Sequence, residues 1–197
     1  GSVMAYLGAE FNAETAQFDN VVPFTQNRPD ASAGHVRDFW EAGFRIIPLY
    51  GFSGVGKAAI CNCGRKDCND PGKHPIGAKW QDTPFWSEEQ FDAKVRAGSL
   101  DSGYGVLCDG LVVIDVDARN GGLDSYAKLY ERVPEIVSAG LTVASGSGGG
   151  SKHLYFLTPT DCPPLSYQLD DLPGIEFKYS GMVVGPGSRH ASGGTYK

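Results

Sequence analysis

The central stretch of the chain, residues 104–117, limits the possible folds more than any other part of the sequence. Two apolar runs, Tyr104–Cys108 and Leu111–Asp117, are separated there by the dipeptide Asp109-Gly110. Asp-Gly between two apolar runs favours a tight turn, so this pattern predicts a β-hairpin. An antiparallel strand pair is therefore expected near the centre of the fold.

Helical and extended patterns alternate on both sides of this pair. Three segments have helical spacing with start or stop signals: Ala33–Ala42, Ser87–Arg96 and Leu123–Arg132. Five others have the short apolar pattern of strands: Phe44–Leu49, Leu141–Ala144, His153–Leu157, Ile175–Lys178 and Met182–Val184. We expect the last four to form two hairpins in chain order. Helices interleaved with hairpins indicate an α+β fold with a mixed or antiparallel sheet.

The 197 residues suffice for one domain with a small insertion. We expect residues 1–32 to form a loosely structured N-terminal arm with one short helix, and residues 33–197 to form the folded domain. The last residues, Ser192–Lys197, resemble the start of a strand, which suggests a fragment of a longer protein.

Charge and hydropathy restrict the location and the partners. No apolar run approaches the ~20 residues of a membrane span, and no secretory signal is evident, so a cytoplasmic location is expected. The net charge is −6. This charge argues against nucleic-acid binding, because phosphate contacts need Lys and Arg, unless basic residues gather on one face.

Two carboxylates stand at the end of the central apolar run, in Ile114-Asp115-Val116-Asp117. Alternate residues of a strand face the same side, so Asp115 and Asp117 project together. Such a pair repels itself unless a cation lies between the carboxylates, and Mg²⁺ and Mn²⁺ prefer oxygen ligands of this kind. A strand end whose acids simply meet water is the alternative.

A third carboxylate, Glu176, lies on another predicted strand, with Ile175 and Phe177 on the opposite face. Three acids on neighbouring strands suit a two-metal site. Glu176 therefore favours the metal-binding interpretation of Asp115 and Asp117.

A glycine-serine run, residues 145–151, separates two predicted strands and is followed by Lys152 and His153. It could be a flexible linker. Alternatively, glycines let backbone N–H groups approach an anion closely, and Ser151, Lys152 and His153 add further donors. This combination makes a plausible triphosphate-binding loop.

Four potential metal ligands, Cys61, Cys63, Cys68 and His74, lie close together in the sequence. Three thiolates and an imidazole are a donor set for structural zinc. The single residue between the first two cysteines requires a tight turn, which Asn62 and Gly64 would permit. Four protein ligands leave no open position, so such a metal would support the fold and not the chemistry.

The segment Gly51–Ala58 nearly matches the phosphate-binding P-loop, G-x4-G-K-[ST]. Ala58 replaces the hydroxyl residue that would hold Mg²⁺, and the cysteine-rich loop follows where a helix should begin. We therefore do not expect a working P-loop.

Three motifs occur in an order that resembles a known family. Asp115-x-Asp117, then Ser151-x-His153, then Glu176 within GIEFK resemble the three motifs of archaeo-eukaryotic primases. The closer resemblance is to the bifunctional primase-polymerase N-terminal domain of phage, plasmid and prophage replication proteins. It extends to PGKHP (71–75), NGG (120–122) and GPGSRHASGGTY (185–196), and spans about residues 35–197.

The resemblance implies an archaeo-eukaryotic primase fold, with an RRM-like catalytic sheet packed against a second α/β unit and a zinc-binding insertion at residues 58–80. It implies two catalytic Mg²⁺ or Mn²⁺ ions and one structural Zn²⁺. The implied catalytic-metal ligands are Asp115, Asp117 and Glu176, and the implied nucleotide-binding residues are Ser151, Lys152, His153, Lys178, Arg189 and His190.

The implied partners are a single-stranded DNA template, a primer strand, NTPs or dNTPs, and a fused or associated helicase. The resulting hypothesis is a template-directed nucleotidyltransferase that synthesises primers and extends DNA by two-metal catalysis. One alternative is a polymerase that only extends an existing primer. The other is a non-catalytic zinc-containing nucleic-acid-binding module, although a decayed site would be expected to lack a carboxylate.

Overall fold

The computed structural model describes residues 10–12, 17–19, 36–134, 141–157 and 167–197. Within these ranges the helices are α1 (Val36–Glu41), α2 (Glu88–Arg96) and α3 (Gly122–Arg132). The strands are β1 (Glu10–Asn12), β2 (Gln17–Asp19), β3 (Ile46–Pro48), β4 (Phe52–Ser53), β5 (Ile60–Cys61), β6 (Tyr104–Leu107), β7 (Leu111–Val116), β8 (Leu141–Ala144), β9 (Lys152–Leu157), β10 (Ile175–Lys178) and β11 (Met182–Val184). The fold is α+β, as expected.

The larger sheet, called the central sheet below, is built around β7 and β9. β7 pairs antiparallel with β10 on one edge and with β9 on the other. The far edge of β9 pairs antiparallel with β8 and, at Leu157, parallel with β1, which carries β2 outside it. The hairpin predicted from residues 141–144 and 153–157 is confirmed by the β8–β9 pair.

A smaller antiparallel sheet has the order β11-β6-β3. A separate two-stranded hairpin, β4–β5, follows β3 in the chain. In both larger sheets the strand order does not follow the chain, and most pairs are antiparallel. The fold is therefore neither a simple meander nor a parallel doubly wound fold.

Two of the predicted hairpins are wrong. β6 and β7 lie in different sheets, and so do β10 and β11. The physical reason is that β6 and β7 are each central strands, with both edges already paired to other strands. Gly110 adopts the positive φ of a turn, +70°, but the turn carries the chain from one sheet to the other. The chain also passes from one sheet to the other between β10 and β11. This connection lies beside the β6–β7 connection, since Cys108 N–H donates to Gly181 O at 2.9 Å.

Two hydrophobic cores cover the two faces of the central sheet. Val113 and Tyr155 belong to the core that also contains the small sheet, Phe39 of α1 and Phe91 of α2. The opposite face of β7 packs under α3, in a second core that contains Ile114, Val116 and Leu129. Alternation along β7 therefore places Asp115 on the face that the small sheet covers only in part.

Local signals agree with the helices. Ser87 caps α2, and the Ser87–Gln90 capping box is confirmed in both directions, at 3.2 Å and 2.9 Å. α1 begins at Val36, and the residues predicted before it, 33–35, lie outside the described residues.

The described parts of the predicted N-terminal arm are strands β1 and β2, so these residues do not form the short helix expected in the arm. β1 instead extends the central sheet beside β9. Among the described residues, we find no helix with the length and apolar character needed to cross a membrane.

Candidate active site

A cleft of about 470 Å³ opens at one end of the central sheet. Its walls come from the ends of β7, β9 and β10, with the turn after β7 and Gln168 before β10. The glycine-serine loop 145–151, the cysteine-rich loop near residues 69–73 and the segment around residues 190–196 complete them. Asp115, Asp117, Glu176, Ser151 and His153 all line it.

Three side-by-side strands place three of these residues in one row. Asp115 is the Cα partner of Glu176 on one side and of His153 on the other. Cross-strand partners point to the same face, so the register alone brings the three side chains together. The His153 Nε2 atom lies 3.5 Å from Asp115 Oδ1.

Asp115 also faces a cation. Lys178 lies two residues beyond Glu176 on β10, hence on the same face, and its Nζ is 3.4 Å from Asp115 Oδ2. Both side chains are about a quarter exposed, 23% for Lys178 and 25% for Asp115. The carboxylate is therefore charge-compensated in a partly buried position.

Asp117 lies one residue beyond the end of β7 and caps the 3-10 turn Ala118–Asn120. Its Oδ1 accepts from Arg119 N–H at 3.0 Å, and its Oδ2 accepts from Asn120 Nδ2 at 2.6 Å. Gly122 packs against the Asp117 backbone so closely that a Cβ there would clash. The Asn-Gly-Gly motif thus holds Asp117 at the rim of the cleft.

Glu176 is held by two residues that the sequence analysis did not identify. Its Oε2 accepts from the Tyr167 hydroxyl at 2.9 Å, and its Oε1 lies 3.4 Å from Gln168 Nε2. Burial and the hydrogen bond to Glu176 raise the pKa of Tyr167. No motif or periodicity marks these two residues, so no signal in the sequence could have found them.

His153 is buried, and burial lowers its pKa to about 4, against the opposing attraction of Asp115. The imidazole is therefore neutral near pH 7. Its Nδ1 atom is buried and has no hydrogen-bond partner among the described residues. Such an atom in a protein interior requires a water, an ion or a functional reason.

The glycine-serine loop is an ordered connection between β8 and β9, and not a flexible linker. Ser145 N–H donates to Ser151 O at 2.9 Å, and Ser151 N–H donates to Gly148 O at 3.2 Å. Gly148, Gly149 and Gly150 have φ values of +74°, +67° and +91°, which side-chain-bearing residues rarely adopt. The Ser151 hydroxyl accepts from Ala118 N–H at 2.9 Å and so ties the loop to the turn after β7.

His190 lies on the other side of this loop and lines the cleft. Its Nδ1 is 2.8 Å from the Ser192 hydroxyl, which donates to Gly146 O at 2.7 Å. A Cβ at Gly146 would clash with His190, so only glycine permits this close approach. Burial, with the nearby cations Lys73 and Arg119, lowers the pKa of His190.

Three of the six predicted nucleotide-binding residues, Lys152, Lys178 and Arg189, are not among the described residues that line the cleft, although Lys178 reaches Asp115 from β10. Lys152 lies on the opposite face of β9 from His153, and its Nζ is 3.8 Å from the centre of the Tyr126 ring on α3. Arg189 is exposed and stacks over Phe52 at 4.7 Å. Neither is among the described residues that line the cleft, so the structure does not bring them to Asp115.

The four predicted zinc ligands converge. The ligand atoms of Cys61, Cys63, Cys68 and His74 all lie within 4.8 Å of one another. His74 Nδ1 is 3.6 Å from Cys61 Sγ and 3.5 Å from Cys68 Sγ. The tight turn expected after Cys61 is present, with Gly64 at a φ of +80°.

The electrostatics of this cluster differ between its thiols. Burial raises the pKa of Cys61 to about 11, whereas the Arg65 N–H, 3.4 Å from Cys63 Sγ, lowers the pKa of Cys63. A backbone N–H that points at a sulfur stabilises a thiolate. The donor set and its convergence fit a tetrahedral zinc ion.

The carboxylates of the cleft fit a hard divalent cation in donor chemistry and in placement on one face. Among the residues that the structure describes, however, the carboxylate oxygens do not all lie within 4.8 Å of one another, as the Cys/His ligand atoms do. Each carboxylate contacts its own protein partners. These are Lys178 and His153 for Asp115, Arg119 and Asn120 for Asp117, and Tyr167 and Gln168 for Glu176.

The P-loop-like segment forms the β4–β5 hairpin. Residues Gly56–Ala58 make a 3-10 turn that leads into β5, so no helix follows the lysine within the described residues 51–80. Gly56 N–H donates to Ala191 O at 2.7 Å. This hydrogen bond holds the hairpin against the cleft-lining segment.

A family model described as "Bifunctional DNA primase/polymerase, N-terminal" matches residues 36–197. The match includes the cleft, both candidate metal sites and both larger sheets from β3 onwards. Comparison with curated proteins and with solved structures gave no match.

Proposed function

The chain belongs to the family of bifunctional DNA primase/polymerase N-terminal domains, and on that premise we propose that it is a template-directed nucleotidyltransferase that synthesises primers on single-stranded DNA and extends them from NTPs or dNTPs. Membership supports an enzyme of the DNA primase and polymerase class, with DNA and nucleotides as substrates. The observation that carries the specific proposal is the row Glu176–Asp115–His153, set by strand register at the cleft, with Asp117 at its rim.

We assign Asp115, Asp117 and Glu176 as the ligands of two Mg²⁺ or Mn²⁺ ions. When bound, such ions lower the pKa of an attacking 3′-hydroxyl and stabilise the charge on the leaving pyrophosphate. The chain's own contribution is placement. The sheet fixes Asp115 and Glu176 as neighbours, and the turn after β7 fixes Asp117 beside them.

Tyr167 and Gln168 orient Glu176 by their contacts to its two oxygens. They are positioning residues, since they act through that carboxylate. Lys178, whose Nζ lies 3.4 Å from Asp115 Oδ2, compensates the charge of that carboxylate and is proposed as a further phosphate contact. Preorganised charges of this kind stabilise a phosphoryl-transfer transition state without further reorganisation.

Ser151, His153 and His190 are proposed to contact the phosphates of the incoming nucleotide. His153 is neutral near pH 7 because its pKa lies at about 4. It therefore offers an N–H donor without adding a charge that would repel the metal ions. The ordered glycine-serine loop fixes Ser151 and packs against His190, which brings donors from two segments to one side of the cleft.

The Cys61–Cys63–Cys68–His74 cluster is proposed to bind one structural zinc ion, within an insertion at residues 58–80. Its four ligands leave no position for substrate, so its role is to fix a loop that has little apolar core of its own. Ile60, next to Cys61, is 69% exposed, which shows how little hydrophobic burial this loop has.

Residues 33–197 are proposed as the catalytic unit, within a longer replication protein that includes or recruits a helicase. The extension-only polymerase uses the same cleft and differs in the need for a primer. A non-catalytic zinc-containing binding module is the alternative from another class. The presence of all three carboxylates in one cleft favours the enzyme over that module.

The test is nucleotide incorporation on single-stranded DNA with Mn²⁺, with and without an annealed primer. The Asp115→Ala/Asp117→Ala double variant is the negative control, and Glu131→Ala, an exposed acid on α3, is the matched control for loss of a carboxylate. Products without a primer that disappear only in the double variant support the primase. Extension that needs a primer supports the runner-up, and bound DNA without any product supports the binding module.

A further inference from the structure

The cysteine-rich region has a charge opposite to that of the whole chain. Residues 51–80 contain five basic and two acidic side chains, whereas the net charge of the protein is −6. The region therefore carries a local excess of positive charge. This excess directs attention to the one lysine of the region that lies at the cleft.

That lysine is Lys73, which lines the cleft together with Asp115, Ser151 and His190. The other basic residues of the region, including Lys57 and Lys66, are not among the described cleft residues. Lys73 is exposed, so its ammonium group is available to a ligand in the cleft. It lies in the loop that carries the cysteine cluster.

The backbone on both sides of Lys73 is held in place. His74, the next residue, belongs to the Cys/His cluster, and its carbonyl accepts from Tyr50 N–H at 2.8 Å. Gly72, the preceding residue, is buried at a φ of +83°, and a Cβ there would approach the Phe52 ring at 3.2 Å and Arg189 O at 3.3 Å. The cluster and these contacts therefore fix where Lys73 enters the cleft.

Lys73 lines the same cleft as His153 and His190, the two imidazoles proposed to contact the phosphates. Burial lowers the pKa of His190, and the charge of Lys73 lowers it further. Lys73 forms no ion pair with a carboxylate among the residues that the structure describes, so its ammonium group can meet an anionic ligand.

We propose that Lys73 binds the phosphates of the incoming nucleotide, and that the Cys61–Cys63–Cys68–His74 cluster positions it for this contact. The proposal rests on the proposed nucleotidyltransferase function. Lys73 adds a point charge from the cysteine-rich loop to a cleft that several carboxylates line, whereas Lys178 is not among the described cleft residues and lies 3.4 Å from Asp115. The cysteine cluster thereby affects nucleotide affinity without contacting the reacting atoms.

The test measures the dissociation constant of a nucleoside triphosphate in the presence of Mn²⁺ by calorimetry, alongside the KM and kcat of primer extension. Lys73→Ala should weaken binding and raise KM about tenfold with little change in kcat, as expected for loss of one charge-assisted contact. Lys66→Ala, a lysine of the same loop outside the cleft, should bind like the wild type, and Lys73→Arg should retain most of the affinity.

The role of the cluster is tested with Cys68→Ser and with the double variant Cys68→Ser/Lys73→Ala. If the cluster acts through Lys73, Cys68→Ser should weaken binding, and the double variant should bind no more weakly than Lys73→Ala. Additive losses would overturn the positioning role. Where Cys68→Ser fails to fold, the comparison of Lys73→Ala with Lys66→Ala still decides the phosphate contact.

Two failures are distinguishable. A wild-type protein that neither binds nucleotide nor extends a primer would refute the proposed function itself. A wild-type protein that does both, with Lys73→Ala unchanged in affinity and KM, would refute only the inference about Lys73.

Discussion

The two candidate metal sites of this protein are built in opposite ways. Asp115 and Glu176 stand on two paired strands of the central sheet, where register makes them neighbours, and Asp117 follows directly after β7. The Cys/His ligands stand on a loop with little regular structure beyond the two-residue strand β5. Yet the ligand atoms of the loop site converge within 4.8 Å, while the carboxylates are turned towards separate protein partners.

The difference indicates what each site needs from its metal. The sheet holds Asp115 and Glu176 in place through packing in two cores, so the proposed metal site is expected to keep its shape without an ion. The loop exposes apolar residues such as Ile60, so we expect its geometry to depend on a metal ion that joins the four proposed ligands. Loss of the first metal should therefore stop the chemistry, and loss of the second should loosen the structure.

The largest effect is expected at the centre of the carboxylate row. Asp115→Asn keeps the shape of the side chain but removes the charge that a divalent ion requires. We expect primer extension to fall by about a thousandfold or more, with a melting temperature close to that of the wild type. Glu131→Gln, a matched change on the exposed face of α3, should keep full activity; an active Asp115→Asn enzyme would contradict the assignment.

The unfolding free energy should depend on pH through His153 on the central sheet. The folded pKa of His153 is about 4 and its unfolded value about 6.5. The contribution of the neutral imidazole to the unfolding free energy is therefore complete above pH 6.5 and is lost as the pH falls towards 4. Between pH 7 and pH 4 the wild type should lose about 3 kcal/mol more unfolding free energy than His153→Gln. Denaturant unfolding at a series of pH values measures this, and parallel curves for the two proteins would refute it.

Loss of zinc from the Cys/His loop should lower the stability of the fold. We expect about one zinc ion per chain by elemental analysis, less than half of that in Cys68→Ser, and a melting temperature lowered by about 5–10 °C in that variant. Cys108→Ala removes a cysteine outside the cluster, and this variant should bind as much zinc as the wild type. A zinc-free wild type with unchanged melting temperature would show that the loop does not depend on metal.

A smaller effect is expected where Tyr167 holds Glu176. Tyr167→Phe removes one hydrogen bond to the carboxylate while the ring is kept, and kcat should fall about tenfold. Tyr130→Phe, an exposed tyrosine of α3, is the matched control. If both variants retain wild-type kcat, Glu176 does not need Tyr167 for its orientation.

The smallest effect is expected for Lys152. Because its ammonium group lies over Tyr126 on the α3 side of the sheet, Lys152→Ala should change KM for nucleotide by less than about twofold. Lys178→Ala, at 3.4 Å from Asp115, should have the larger effect on the same measurement. A strong KM effect of Lys152→Ala would restore it to the nucleotide-binding set.

The sequence was most informative where spacing alone decides the geometry. Alternation in a strand is enough to put Asp115 and Ile114 on opposite faces, and the capping box at Ser87 is a purely local signal. The four cluster ligands were also found from their spacing, since three cysteines and a histidine within fourteen residues are typical of a metal site.

Pairing between strands could not be predicted in the same way. Asp109-Gly110 provides a turn, but a turn can close a hairpin or carry the chain to another sheet. The decision depends on which strand edges other segments fill, and those segments are distant in sequence: β10 and β9 beside β7, and β11 and β3 beside β6. Tyr167 and Lys73 escaped notice for the same reason, because only tertiary contacts bring them to the cleft.

The most direct test of the central claim is Mn²⁺ binding at the carboxylate row, measured by electron paramagnetic resonance with a nucleoside triphosphate present and the zinc site loaded. We predict that the wild type and Glu131→Gln bind Mn²⁺ alike and that Asp115→Asn loses this binding. Equal Mn²⁺ binding by Asp115→Asn and the wild type would contradict the claim that the row Glu176–Asp115–His153 is a metal-dependent catalytic centre.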